Sequence, residues 1–346
     1  MEKQIWEDPK VIKVNKEDGH VIAMPYDDVD SALSGEESRY KLSLNGMWKF
    51  YWQRGLENQP QNFEDPGFND AEWGEIKVPS VWQTEGYSVP YYYASTFPRA
   101  ISRSKHRIPK IDHKMQEIGF YRKTFALDKE WKEREIFIHF GACKAGLEVY
   151  VNGNYVGYSQ GSMTPHEFNI TKFVKTGEEN IVCAKVYRYT DGTYLEDQDM
   201  WWLCGIYREV YIFAESPAAI RDFFFRTKFD NFYKDAVASL DIHIENYAAL
   251  NGSATCKAYL ISDTGREIEI GEETQKLGHT TTDFFMKAEV KNPKKWSAET
   301  PNLYTLVIIL SIDENVYAVK TYEVGFKQVE IKGEKIYFNG MPLMIR

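Results

Sequence analysis

The stretch GLEVYVNGNYVGYSQG, residues 146–161, constrains the fold most tightly. Leu147, Val149 and Val151 alternate with Glu148 and Tyr150, the period of a strand that buries one face. Asn152-Gly153 follows, a dipeptide suited to a tight hairpin turn, and a second strand then returns. The device recurs. KLSLNGMWKFYW (41–52) sets Asn45-Gly46 as a tight turn between apolar residues, and GEKIYFNGMPLMIR (333–346) sets Asn339-Gly340 at the turn of another hairpin. REIFIHF (134–140), ENIVCAKVYRY (179–189) and REVYIFAE (208–215) read as further strands, while helical periodicity is confined to brief pieces such as FNDAEW (68–73). Many short strands with Gly/Asn turns predict an all-β sandwich.

A second β unit begins near residue 218. In SLDIHIENYA, Leu240, Ile242 and Ile244 share one face and Asp241, His243 and Glu245 the other. ATCKAYLIS, TTDFFMKAEV, LYTLVIILSI and VYAVKTYEV follow at intervals suited to an immunoglobulin-like sandwich. The short polar junction at Ser216-Pro217 is a domain boundary in this reading. The expected organisation is an irregular polar arm over 1–40, a sandwich over 41–217, an immunoglobulin-like sandwich over 218–330 and a terminal hairpin over 331–346. The chain stops on an apolar strand, PLMIR, of a kind that ordinarily leads into further structure.

Composition excludes some functions. The net charge of -9 and the lack of a basic run disfavour a nucleic-acid partner. No apolar run approaches the roughly 20 residues needed to cross a membrane, and MEKQIWEDPKV has no signal-peptide core, so a cytoplasmic protein is expected. Cys143, Cys183, Cys204 and Cys256 show no CxxC spacing and read as buried free thiols. The seven histidines show no metal-ligand spacing and read as isolated surface or strand residues.

TDGTYLEDQDMWWLCGIYREV, residues 190–210, is less easily explained. It sets Asp191, Glu196, Asp197 and Asp199 directly before Trp201 and Trp202. Such a stretch wants hidden partners for its charges, or a ligand with a polar edge and an apolar face. A sugar is one such ligand, and a cation clamped beside an apolar wall meets the same description. The alternative is an acidic surface loop next to a core strand.

Four motifs, in order and spacing, resemble the β-galactosidases of glycoside hydrolase family 2: VPSVWQTEGY (78–87), DGTYLEDQDMWWLCGIYREV (191–210), WSAETPNLYTL (296–306) and VGFKQVEIKGEKIYFNGMPLMIR (324–346). The resemblance runs from about Trp6 to Arg346, and YLEDQDMW points to the galactosidase branch. It implies a jelly-roll sugar-binding domain, then an immunoglobulin-like domain, and after them a TIM barrel that this sequence does not contain. Hydrolysis of terminal non-reducing β-D-galactosides with retention would use two carboxylates in that barrel, so no catalytic residue is expected here and the chain alone is expected to be inactive. The alternatives are a β-glucuronidase or other family 2 glycosidase, and a free-standing carbohydrate-binding protein of two sandwiches.

The resemblance also assigns roles. Asp199 would accept a hydrogen bond from the galactosyl 6-hydroxyl and, with the barrel present, help hold Na⁺. Trp201 and Trp202 would pack the loop root, and Arg208 would be a buried partner for a nearby acid. Asp8, the Val11 carbonyl, Gln160 and Asp191 would surround a structural divalent cation, Mg²⁺ or Ca²⁺, as an all-oxygen set; otherwise Asp8 and Asp191 are ordinary turn residues. Ala94 stands where the family carries an Asn that touches substrate, so that contact is lost or passes to Tyr93 or Ser95. The implied partners are the galactoside substrate, the chain's own barrel and further copies in a homo-oligomer.

Overall fold

The computed structural model describes residues 4–92, 108–196 and 199–344. The chain forms two compact units, Met1–Asp18 with Lys41–Ala214, and Gly19–Tyr40 with Glu215–Arg346. Both are built from antiparallel β-sheet, as the alternating patterns require.

In the first unit a seven-stranded sheet runs, edge to edge, Lys13–Val14, Asn154–Gln160, Gly146–Val151, Glu179–Tyr187, Glu117–Ala126, Gly46–Arg54 and Gly74–Val78. A four-stranded sheet orders His166–Asn169, Glu135–Phe140, Val210–Glu215 and Lys41–Ser43. Both faces of the larger sheet are buried at its centre. Tyr121 meets Trp48 and Phe50 on one face, while Ile118, Phe120, Cys183 and Tyr187 join a cluster with Trp6, Phe63 and Trp202 on the other. Strand Glu117–Ala126 is therefore buried without a break over its first six residues rather than in alternation.

The Asn152-Gly153 hairpin forms as the sequence requires, with φ values of 49° and 81° and Asn154 opposite Val151. Asn45-Gly46 does not make a hairpin. Lys41–Ser43 pairs with Val210–Glu215, whereas Gly46–Arg54 pairs with Gly74–Val78 and Glu117–Ala126. The chain passes there from one sheet to the other. Gly46 supplies the positive φ, and the Asn45 side-chain oxygen accepts from the Val210 amide at 2.9 Å. FNDAEW forms turns, not helix.

The second unit stacks a three-stranded sheet (Ala218–Phe229, Ala236–Asn246, Thr281–Val290) against a four-stranded one (Glu267–Lys276, Ser253–Ile261, Tyr304–Ile312, Asn315–Val324). Leu240, Ile242, Ile244, Leu260, Met286 and Leu306 fill its core. A small three-stranded sheet follows over Val329–Lys332, Lys335–Phe338 and Met341–Pro342, turning at Asn339-Gly340.

Residues 1–40 do not form one arm. Lys13–Val14 adds an edge strand to the first unit. Residues 19–40 belong to the second, where Tyr26 bridges Val319 and Ala32 of the short helix Val29–Leu33 packs with Val307 and Val319. The four cysteines are free and buried. Among the described residues no helix is long and apolar enough to cross a membrane.

Candidate functional site

Strand Glu179–Tyr187 leaves the large sheet into a 3-10 turn, Asp191–Leu195, whose start is closed by reciprocal bonds between Thr190 and Thr193. The acids that follow each face a different partner. Asp191 Oδ1 accepts from Gln160 Nε2 at 2.7 Å. The Glu196 carboxylate accepts from the Ser162 amide and hydroxyl at 2.9 and 2.5 Å. Asp199 Oδ1 accepts from the Tyr92 hydroxyl at 2.6 Å. Asp197 lies outside the described residues, as do Tyr93, Ala94 and Ser95.

Asp199 is exposed and left-handed, with φ 53°. Beside it Trp201-Trp202 pairs with Tyr91-Tyr92 as a two-residue ladder. Successive residues of a strand face opposite sides, so the two tryptophans part. Trp202 is buried. Trp201 is 56% exposed and sits 5.7 Å from the Tyr92 ring, which corrects the reading of both as root packing. The result is a carboxylate edged by two exposed aromatic rings.

A second correction concerns arginine. Arg208 is exposed and points Nη1 toward the Met163 carbonyl at 3.5 Å, not at an acid. A buried arginine paired with an acid does lie near this loop: Arg188, 2.7 Å from Glu117 Oε2. It was not singled out from sequence, where nothing local distinguishes it.

The proposed divalent site draws its parts from the arm and two strand ends. Asp8 starts a turn whose carbonyl accepts from the Val11 amide at 2.8 Å, and the next residue's carbonyl, Ile12, accepts from the Gln160 amide at 3.0 Å. Burial holds the Asp191 carboxyl above its ordinary value, and the charge of Asp8 adds to this; the Gln160 bond and nearby amides oppose it. The Gln160 carboxamide oxygen lies over Gly192, where an added Cβ would come within 2.8 Å of it. The carboxylates of Asp8 and Asp191, the Gln160 carboxamide and backbone carbonyls are the kinds of oxygen donor that Mg²⁺ or Ca²⁺ takes. Asp8 also serves its own turn, with Oδ1 3.3 Å from the Lys10 amide. Among the described residues no group of three His, Cys, Asp or Glu is set to hold a metal. Some of the described histidines are not isolated: His139 meets buried Glu167 at 3.0 Å, and His113 meets Glu7 at 3.1 Å.

Residues 42–216 match the model for the glycosyl hydrolases family 2 sugar binding domain, and residues 218–327 match a second model, for glycosyl hydrolases family 2. The chain belongs to glycosyl hydrolase family 2. It is 34% identical to a β-galactosidase of Priestia megaterium, over 98% of this chain and 33% of that protein. It is 33% identical to a β-galactosidase of Photobacterium profundum, over 100% and 33%. The chain thus spans about a third of the length of the curated relatives it matches. Among solved structures, a Bacteroides uniformis β-glucuronidase shares the fold at TM-score 0.70 and 22% identity, over 88% of this chain and 34% of that one. A family 2 glycosyl hydrolase of Bacteroides cellulosilyticus does so at TM-score 0.69 and 20% identity, over 88% and 37%.

Proposed function

We propose that this chain provides the sugar-binding and immunoglobulin-like domains of a retaining β-galactosidase. The protein would hydrolyse terminal non-reducing β-D-galactose residues with two carboxylates carried on a TIM barrel that this chain does not contain. The observation that carries the reading is Asp199. It is exposed, fixed by the Tyr92 hydroxyl and flanked by the Trp201 ring, so it offers an acceptor to a sugar hydroxyl and a hard oxygen to Na⁺ beside an apolar wall. The named relatives and the YLEDQDMW stretch support galactose as the sugar. The chain alone is inactive on this reading, because Asp191, Glu196 and Asp199 are turned to separate partners and make no acid–nucleophile pair.

The test uses Asp199→Asn in a protein that joins this chain to its barrel. Loss of one charge-assisted hydrogen bond is worth about 1.5–3 kcal/mol, so kcat/KM for nitrophenyl β-galactoside should fall about ten- to over a hundredfold and the sodium response should weaken. The circular dichroism of the fold should not change. Unchanged kinetics and sodium response would overturn the role of Asp199, and preferential turnover of the nitrophenyl β-glucuronide would overturn the sugar.

A further inference from the structure

Two short segments present the exposed group: 88–92, with Tyr92, and 199–202, with Asp199 and Trp201. Their mutual ladder is only two residues long, too short to hold itself in register. Each segment also contains a non-glycine residue in the left-handed region, Ser88 at φ 65° and Asp199 at φ 53°. Such residues persist where the surroundings over-determine them.

One side chain reaches both segments. Arg188 Nη2 donates to the Val89 carbonyl at 2.9 Å and to the Trp202 carbonyl at 3.0 Å. Arg188 Nη1 donates to Glu117 Oε2 at 2.7 Å and to the Ser88 hydroxyl, which itself donates to Glu117. The guanidinium carbon lies 4.7 Å from the centre of the Tyr91 ring. Arg188 and Glu117 are 1% and 5% exposed. Their base is rigid, because the Arg188 amide donates to the Glu117 carbonyl at 3.0 Å where two long strands end side by side.

We propose that Arg188 is a positioning residue: its planar fork, aimed by Glu117, sets the two segments that carry Tyr92, Asp199 and Trp201. What this achieves for a sugar rests on the function proposed above; the positioning itself does not. A fork with fixed donor directions meets a carboxylate on one side and two carbonyls on the other. Lysine would bring a single compact charge and could not hold both segments.

Amide hydrogen exchange on this chain separates positioning from plain stabilisation. Three variants are compared with the parent: Arg188→Lys, Glu117→Gln and the apolar pair Arg188→Met/Glu117→Leu. Arg188→Lys keeps a buried charge pair yet should speed exchange in 88–92 and 199–203 at least about tenfold while 118–126 and 147–160 stay protected. Glu117→Gln removes the charge but keeps a side-chain oxygen to accept from Arg188 Nη1, so the fork stays aimed at its carbonyls and the same two segments should stay near the parent rates even where the melting temperature falls. The apolar pair should recover melting temperature, as replaced buried ion pairs often do, without recovering protection at the loops. Parent-like loop protection in Arg188→Lys or in the apolar pair would overturn the proposal, as would loosening in Glu117→Gln equal to that in Arg188→Lys. In the barrel-containing enzyme, Arg188→Lys should raise KM for galactosides more than it lowers kcat. Loosened loops with unchanged kinetics would leave Arg188 as the positioner and count against the sugar site.

Discussion

Asp191 carries its charge where the surroundings disfavour it. Burial comes first; the Gln160 bond and the amides of Asp191 and Gly192 partly offset it, and the Asp8 charge adds the smallest push in the same direction as burial. A carboxyl whose folded value is raised contributes stability that is present in acid and lost as pH rises through that value. Near neutral pH the charged Asp191 carboxyl is therefore disfavoured mainly by its burial, and a divalent cation bound to it and to Asp8 would offset this. Mg²⁺ or Ca²⁺ should raise the melting temperature of the EDTA-treated chain at pH 7.5, by up to about 2.7 kcal/mol of stability at a hundred times Kd. The gain should fade on acidification already above the ordinary carboxylate range, because Asp191 takes a proton early. Asp191→Asn should remove the response and should not lower the melting temperature in EDTA. Melting curves that ignore chelation, added cation and the Asn substitution alike would leave Asp8 and Asp191 as turn residues.

At the scale of elements the arm makes the sharpest case. The 3-10 turn Ile5–Glu7 buries Trp6 fully, against His113 at 5.3 Å and Tyr187 at 5.6 Å. Buried Glu7 beside it accepts from the Ile111 amide at 2.8 Å and from Lys110 Nζ at 2.9 Å. Trp6→Ala should cost about 3–5 kcal/mol and expose the arm to protease, while the second unit keeps its melting transition. A proteolysis course with no new cut before residue 19 would show the arm to be held by Lys13–Val14 alone. The sequence contained part of this. Strands with clean alternation, such as Ala236–Asn246, and Asn-Gly turns whose two strands lie in one sheet, such as Asn152-Gly153, were legible because their signal is local. Asn45-Gly46 has the same dipeptide but joins two sheets, and that is decided by partners far along the chain. Glu267–Lys276 is a largely exposed edge strand rich in Glu, so its periodicity is weak. Asp199 could be singled out by its neighbours in sequence; its bond to Tyr92, 107 residues away, could not. Arg188 escaped for the same reason, since its partners at 88, 89, 117 and 202 meet only in the folded sandwich.

Over the whole molecule the two units should part company in acid. His166 lies in the first unit, fully buried, with Nδ1 2.6 Å from the Ser159 hydroxyl. Burial, with Lys16 adding to it, pushes its value down to about 3. An unfolded histidine takes its proton near pH 6.5, so between that value and the folded one the unfolded state binds more protons and stability falls as pH falls. The slope approaches about 1.4 kcal/mol per pH unit once the unfolded group is protonated. In the second unit His243 runs the other way: burial opposes its charge, but Asp283 at 2.6 Å and Glu245 at 3.3 Å hold its value above the ordinary one. That raised value adds stability as pH drops through it, weakly because the group is over a third exposed and screened by solvent. The first unit should therefore lose stability between about pH 6.5 and 4.5 while the second holds or gains slightly, before the carboxylates titrate. Tryptophan fluorescence can watch one unit almost alone, because Trp6, Trp48, Trp52, Trp73, Trp82, Trp131, Trp201 and Trp202 lie in the first and Trp296 in the second. Thermal melts followed by fluorescence should shift down over that range in the parent and shift much less in His166→Gln, whereas His243→Gln should leave them unmoved. A fluorescence melt that is flat across this range in the parent, or one equally steep in His166→Gln, would show that His166 finds its proton in the folded chain and that acid acts on the first unit through other groups.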